Sequence, residues 1–316
     1  MPMPEPVQKL AAGLEGGMVR QGPAYAAQGA VGAGDVGTGA GAPNAGTFDV
    51  VEQPLPLWRR LYGNGTVRKT VLLALLALAW EGYARSLDNP LLFPTLTATV
   101  TALGRSIADG ELPRAVVYTL ALLAKGYAAG LLLAALLTAL ASASRLGADL
   151  LETLTSMFNP LPSIALLPLA LIWFGLGDAS VIFVLVHAVL WAVALNTHAG
   201  FRGISPTLRM VGQNYGLSPV GYITRILIPG AFPSILTGLK VGWAFAWRTL
   251  IAAELVFGVS SGSGGIGWYI FEHKNQLLIP NVFAGLLTVI LFGLFVEHVI
   301  FRSIEERTVR RWGMQA

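Results

Sequence analysis

Leu, Ala, Val and Ile gather along this chain in six stretches, at 68–84, 115–142, 149–173, 179–200, 236–258 and 281–301. A helix rises about 1.5 Å per residue, so runs of roughly 17 to 25 residues cross the ~30 Å hydrocarbon layer of a bilayer. The pattern predicts an all-α membrane protein with about six transmembrane helices, the first the shortest. Between the first two runs, Ser86 to Arg114 is too long for a turn and holds Pro90, Pro94, Asp109, Gly110 and Pro113. Within it, Thr95 to Ile107 reads as a short interfacial helix. Residues 1–55 differ from everything after them: they are rich in Gly, Ala and Pro and lack sustained apolar periodicity. They read as a disordered cytoplasmic tail ahead of a membrane domain at 56–316. Met1 to Gly17 lacks the basic start and compact apolar core of a signal peptide, so the first hydrophobic helix is expected to be retained.

Composition agrees with lipid as the solvent. Of 316 residues only 12% are charged and 54% are hydrophobic, with a mean hydropathy of +0.63. Ordinary soluble domains carry about a quarter charged residues. Cysteine is absent, which excludes disulfides, thiolate zinc sites and iron–sulfur clusters. The net charge of +4 does not point to nucleic acid, because the basic residues flank the apolar runs. Arg59, Arg60, Arg68 and Lys69 precede the first run, Arg145 lies between the second and third, and Arg202, Arg209 and Arg225 between the fourth and fifth. Arg302, Arg307, Arg310 and Arg311 follow the sixth, while the opposite loops hold only Arg85, Arg105, Arg114 and Lys274. By the positive-inside rule both termini are expected in the cytoplasm, as an even number of spans requires. No internal repeat is evident, which weighs against the inverted-repeat secondary transporters.

The longest cytoplasmic connection, 202–235, exceeds what joining two neighbouring helices needs. Pro206 to Tyr215 reads as a helix ended by Gly216 as a left-handed cap. Ser218 then caps a second helix with Pro219 at its first position, closed by Pro229 and Pro233. Tyr222, Arg225 and Ile226 make that second helix amphipathic with no evident intramolecular core, and a partner's groove is the expected destination.

Gly216, nine residues on Ile226, and then Ile228-Pro229 resemble the cytoplasmic loop of bacterial ABC importer permeases, whose pattern begins Glu-Ala-Ala and ends Ile-x-Leu-Pro. Met210, Val211 and Gly212 stand at the Glu-Ala-Ala positions, a departure familiar in the nitrate, sulfonate, taurine and bicarbonate branch. Further stretches extend the resemblance over about residues 70 to 312: Asn159-Pro160-Leu161-Pro162, Leu227 to Pro233, Ala246-Trp247-Arg248 with Ala252-Ala253-Glu254, and Gly265-Ile266-Gly267. The resemblance implies a type I permease fold and an importer of a small anion in the bacterial inner membrane. It implies that Asn214, Tyr215, Gly216, Leu217, Ser218 and Pro219 form a coupling contact with a cytoplasmic ATPase. It also implies a second permease copy or close relative, and a periplasmic or lipid-anchored solute-binding protein. ATP and Mg would sit on the ATPase, with no cofactor or metal in this chain.

Inside the third run, Pro160, Pro162 and Pro168 each remove a backbone donor, and such breaks are tolerated in lipid only beside protein or water. Lys125, His187, Asn196, Lys240, Arg248 and Glu254 lie within runs, where ionisable or polar groups normally face protein or an aqueous cavity. Arg248 and Glu254 are six residues apart and point to different faces of one helix. With Pro160 and Pro162 they form the candidate substrate pathway, Arg248 as the group that meets an anion. His187 has no neighbour at metal-ligand spacing and reads as a helix–helix hydrogen bond. Ser260 to Gly267 is Gly-rich but lacks the Gly-Lys-Ser/Thr of a phosphate loop, and reads as an outer turn or re-entrant piece. No Ser/His constellation or aspartate cluster is present, so an enzyme is not expected. The competing reading is a secondary transporter driven by an ion gradient.

Overall fold

The computed structural model describes residues 63–257 and 264–310. The tail at 1–55 and the first half of the Gly-rich stretch Ser260 to Gly267, residues 260–263, lie outside the described residues. Among the described residues every regular element is helical.

Helix α1 (Gly65–Leu87) is capped by Asn64, whose Oδ1 accepts the Thr66 N–H at 3.0 Å. Its apolar side chains point outward on every side, as lipid permits. It is held at its outer end, where Trp80 Nε1 donates to the Pro94 carbonyl at 2.9 Å and Glu81 accepts the Thr97 N–H at 3.1 Å. The Trp80, Phe93 and Phe283 rings pack there with centroids 5.5–5.8 Å apart. Helix α2 (Leu96–Ala108), capped by Thr95, is the short helix that the sequence predicts between the first two runs.

The core is built on three long helices: α3 (Glu111–Ala143), α6 (Asp178–Arg202) and α9 (Ile228–Phe257), with α6 between the other two. Lipid offers no hydrophobic drive between helices, so close backbone approach over small residues carries the packing. A Cβ at Gly126 of α3 would stand 2.6 Å from Leu185 Cβ, and one at Gly238 of α9 would stand 2.9 Å from Asn196 Cβ.

The prolines act in two ways. The run at 149–173 is broken at its prolines. It is α4 (Arg145–Phe158), a 3₁₀ turn (Ser163–Leu166) and α5 (Leu167–Phe174), with an 87° bend at the break. Among the described residues five helices are long and apolar enough to cross a membrane singly, and six when this pair counts as one span. Conversely, Pro229 and Pro233 do not end a helix. After α7 (Pro206–Asn214), the short α8 (Pro219–Tyr222) passes through a π-helical turn (Ile223–Leu227) straight into α9. In that turn the Ile228 N–H reaches back five residues to the Ile223 carbonyl. The widened ring lies where Pro229 would otherwise clash with the carbonyl four residues before it. Helix α10 (Ile266–Asn275) precedes α11 (Ile279–Phe295), which continues through a π-helical turn (Val296–Phe301) into α12 (Arg302–Glu305) and a last π-helical turn (Glu306–Arg310).

Candidate solute cavity and coupling loop

Helix α4 stops because its next donors are missing. The Asn159 N–H still bonds the Thr155 carbonyl at 2.9 Å, but Pro160 and Pro162 have none to give, and Pro162 turns extended at ψ 120°. The corner lines a cavity of about 360 Å³ whose other walls are α6, through His187, Ala188 and Trp191, and α9, through Phe245, Arg248 and Thr249. The structure thus brings together three of the four candidate pathway residues: Pro160, Pro162 and Arg248.

Arg248 precedes Phe257 by nine residues and His187 follows Asp178 by nine, about 13 Å of helix in each case, so they share a depth along the two helices. Trp191 stacks on Phe158 with centroids 5.6 Å apart and planes at 10°. His187 Nδ1 and Ser163 Oγ lie 3.1 Å apart, a bond between α6 and the 3₁₀ turn of the kind the sequence led us to expect. Trp191 Nε1 is buried with no partner among the described residues. Arg248 is exposed to the cavity and forms no ion pair or hydrogen bond among the described residues. A guanidinium is a rigid fork of donors suited to planar or tetrahedral oxyanions. Sequence reasoning missed Trp191 and Asn159 as lining residues; the four-residue spacing of His187 and Trp191 on one face of α6 was the available signal.

The fourth candidate, Glu254, is elsewhere. It is 4% exposed and faces α3 and the start of α10. Its carboxyl accepts the Thr119 hydroxyl at 2.9 and 3.0 Å and the Gly267 N–H at 2.9 Å. The same hydroxyl accepts the Ile266 N–H at 2.9 Å. Glu254 and Thr119 therefore satisfy one amide each at the N-terminus of α10 and pin that end to α3 and α9. Three further polar groups within the apolar runs have partners: Lys125 pairs with Asp178 at 3.3 Å, Lys240 with Glu305 at 2.5 Å, and Asn196 Nδ2 donates to the Ala192 carbonyl at 2.7 Å; His187 Nε2 is buried without one among the described residues.

In the loop between α6 and α9, Gly216 has φ +62° after α7, Ser218 Oγ accepts the Gly221 N–H at 3.2 Å, and Pro219 opens α8. Arg209 ties the loop to α6, its Nη2 donating to the Phe201 carbonyl at 2.8 Å. Tyr222 and Ile226 do not await a partner: they press on Gly212 of α7, and Tyr222 packs on the Phe201, Ile204, Leu227 and Ala231 cluster. What the loop leaves uncovered is its tip, where Tyr215 is 80% and Val220 70% exposed and nothing lies within 4 Å of a Cβ built on Gly216.

The family described as binding-protein-dependent transport system inner membrane component matches residues 126–309. A Methanocaldococcus jannaschii protein, named only as a candidate ABC transporter permease, is 29% identical over 76% of this chain and 90% of its own length. The nitrate import permease protein of a Synechocystis strain is 27% identical over 76% of this chain and 88% of its own. The taurine transport system permease protein of Escherichia coli K12 is 30% identical over 50% of this chain and 56% of its own.

Proposed function

We propose, from the premise that this chain belongs to the binding-protein-dependent transport system inner membrane component family, that it carries a small oxyanion past Arg248 on the power of a partner ATPase. The chain is the membrane-spanning permease subunit of an ABC importer. The solute passes the cavity at the α4–α5 break, and the observation that carries this reading is Arg248, a cation in the apolar layer, open to that cavity and unpaired among the described residues. Relatives named for nitrate and taurine import fit a cavity that offers a planar donor fork.

ATP and Mg act on a separate cytoplasmic ATPase. The tip from Asn214 to Pro219, with Tyr215 and Val220 outermost, docks in it, because two large apolar side chains held in water on a tight turn favour burial. An external solute-binding protein delivers the anion to the opposite face. The chain works as a homodimer or beside a close relative, in the bacterial inner membrane with both termini in the cytoplasm.

The test is uptake of labelled nitrate and taurine by proteoliposomes holding the full complex, with Arg248→Gln as the variant. Losing a hydrogen bond to a charged group costs about 1.5–3 kcal/mol, or roughly 10- to 150-fold in KM. Unchanged KM and kcat for a normally assembled Arg248→Gln complex would remove Arg248 from the pathway.

A further inference from the structure

The face of α6 that walls the Arg248 cavity continues toward the cytoplasm. After His187 and Trp191 the same stripe runs on, at helical spacing, through Leu195, His198 and Arg202. These last three line a second cavity of about 590 Å³, closed on its other side by α4. Two residues, Asn159 and Pro160, line both cavities. They are the corner at which α4 ends. From His187 to Arg202 the stripe covers fifteen residues, about 22 Å of helix. The two cavities are therefore successive pools along one helix face with a single waist between them.

Six of the ten residues that line the inner pool are polar or charged: Glu152, Thr155, Ser156, Asn159, His198 and Arg202. Arg202 and Glu152 line it, and neither forms an ion pair or side-chain hydrogen bond among the described residues. Thr155 Oγ1 and His198 Nδ1 are buried there without a partner among the described residues. Buried polar atoms are normally paired, so unpaired ones around a cavity call for a guest that supplies the bonds. We infer that the inner cavity is a second anion site, the release station for a small oxyanion that has crossed the Asn159–Pro160 waist. Arg202 is its cation, Thr155 and His198 supply polar contacts, and Glu152 weakens it by competing for Arg202. A weak inner site suits release into the cytoplasm. The inference rests on the reading of the Arg248 cavity as the solute pathway.

The absence of cysteine helps the test, since a single introduced thiol is the only target in this chain, whose labelling is read on the isolated band. Ala199 lines the inner cavity and its side chain is exposed, so Ala199→Cys reports from inside it. In the nucleotide-free complex, the modification rates of this thiol by an anionic and a cationic methanethiosulfonate are compared. Arg202→Gln is expected to slow the anionic reagent roughly three- to tenfold and to speed the cationic one, Glu152→Gln to do the reverse, and Arg202→Lys to keep the original ratio. Nitrate and methanesulfonate are each expected to slow modification by the anionic reagent at matched ionic strength, where chloride does not, because a bound oxyanion both fills the cavity and neutralises Arg202. A thiol that does not react in an assembled complex, a rate ratio indifferent to Arg202→Gln, or no protection by either oxyanion would overturn the inference. Uptake indifferent to Arg248→Gln is a separate result: it would sink the outer-cavity reading without altering the reagent rates at residue 199.

Discussion

Replacing Thr119 by valine removes one oxygen and keeps the shape of the side chain. That oxygen accepts the Ile266 N–H and donates to the Glu254 carboxyl, all within a buried cluster. Valine leaves the Ile266 N–H without its partner and the carboxyl with the Gly267 N–H alone. A buried donor left unpaired costs about 1–3 kcal/mol and a hydrogen bond to a charged group is worth about 1.5–3 kcal/mol. Because both losses share one hydroxyl, a total of about 2–4 kcal/mol is expected rather than their sum. That energy belongs to local opening of the α10 N-terminus. At 1.4 kcal/mol per tenfold, it predicts amide exchange at Ile266 and Gly267 faster by roughly 30- to 1,000-fold. Hydrogen–deuterium exchange with mass spectrometry, on the protein in lipid nanodiscs, reads this directly. Amides of α6 should keep their protection, and Thr119→Ser, which retains the hydroxyl, should behave as the parent. Unchanged exchange at the start of α10, or equal acceleration throughout α6, would refute the assignment of Thr119 and Glu254 as a local clip.

Other substitutions probe other levels of the structure. At Gly216, φ +62° costs an L-residue roughly 1–2 kcal/mol, so Gly216→Trp should leave membrane insertion intact but abolish solute-stimulated ATPase activity in the reconstituted complex. Full stimulation in that variant would refute the docking role of the tip. Gly238→Val places a branched Cβ 2.9 Å from Asn196 Cβ and 3.3 Å from Val193 Cα. Overpacking of this kind costs about 1–3 kcal/mol, so the thermal midpoint in detergent should fall by roughly 2–12 °C. An unchanged midpoint would mean that α6 and α9 do not approach as closely as described.

The parts legible in the sequence are those decided locally. Gly216, Ser218 and Pro219 each carry their own backbone or capping preference, and the turn they predict is the turn observed. Uninterrupted apolar runs likewise locate α3, α6 and α11. Proline was harder. Pro160 and Pro162 announce a bend, but the 87° angle depends on how the freed corner packs over α6. Pro229 and Pro233 looked like terminators, yet Pro233 lies inside α9 and the π-helical turn just before Pro229 has no local signature. Tyr222 and Ile226 looked unpartnered because the surface they cover, Gly212 and the Phe201 cluster, comes from other segments. The candidate site divides in the same way. Arg248 stands out as a cation inside an apolar run, and the α4 corner and Trp191 that complete its cavity are assembled only by packing. Glu254 stands out for the same reason as Arg248, yet its partner Thr119 lies 135 residues away, and that contact gives it a structural task.

In the proposed function this permease moves its solute with energy from ATP, received through the loop between α6 and α9. The most direct measurement is uptake of labelled nitrate or taurine into proteoliposomes holding the complete complex, with the ATPase inside and the solute-binding protein outside. Luminal ATP is compared with an imposed proton or sodium gradient. Uptake is predicted with ATP alone, and none with a gradient when ATP is absent. Uptake driven by the gradient without ATP would contradict it.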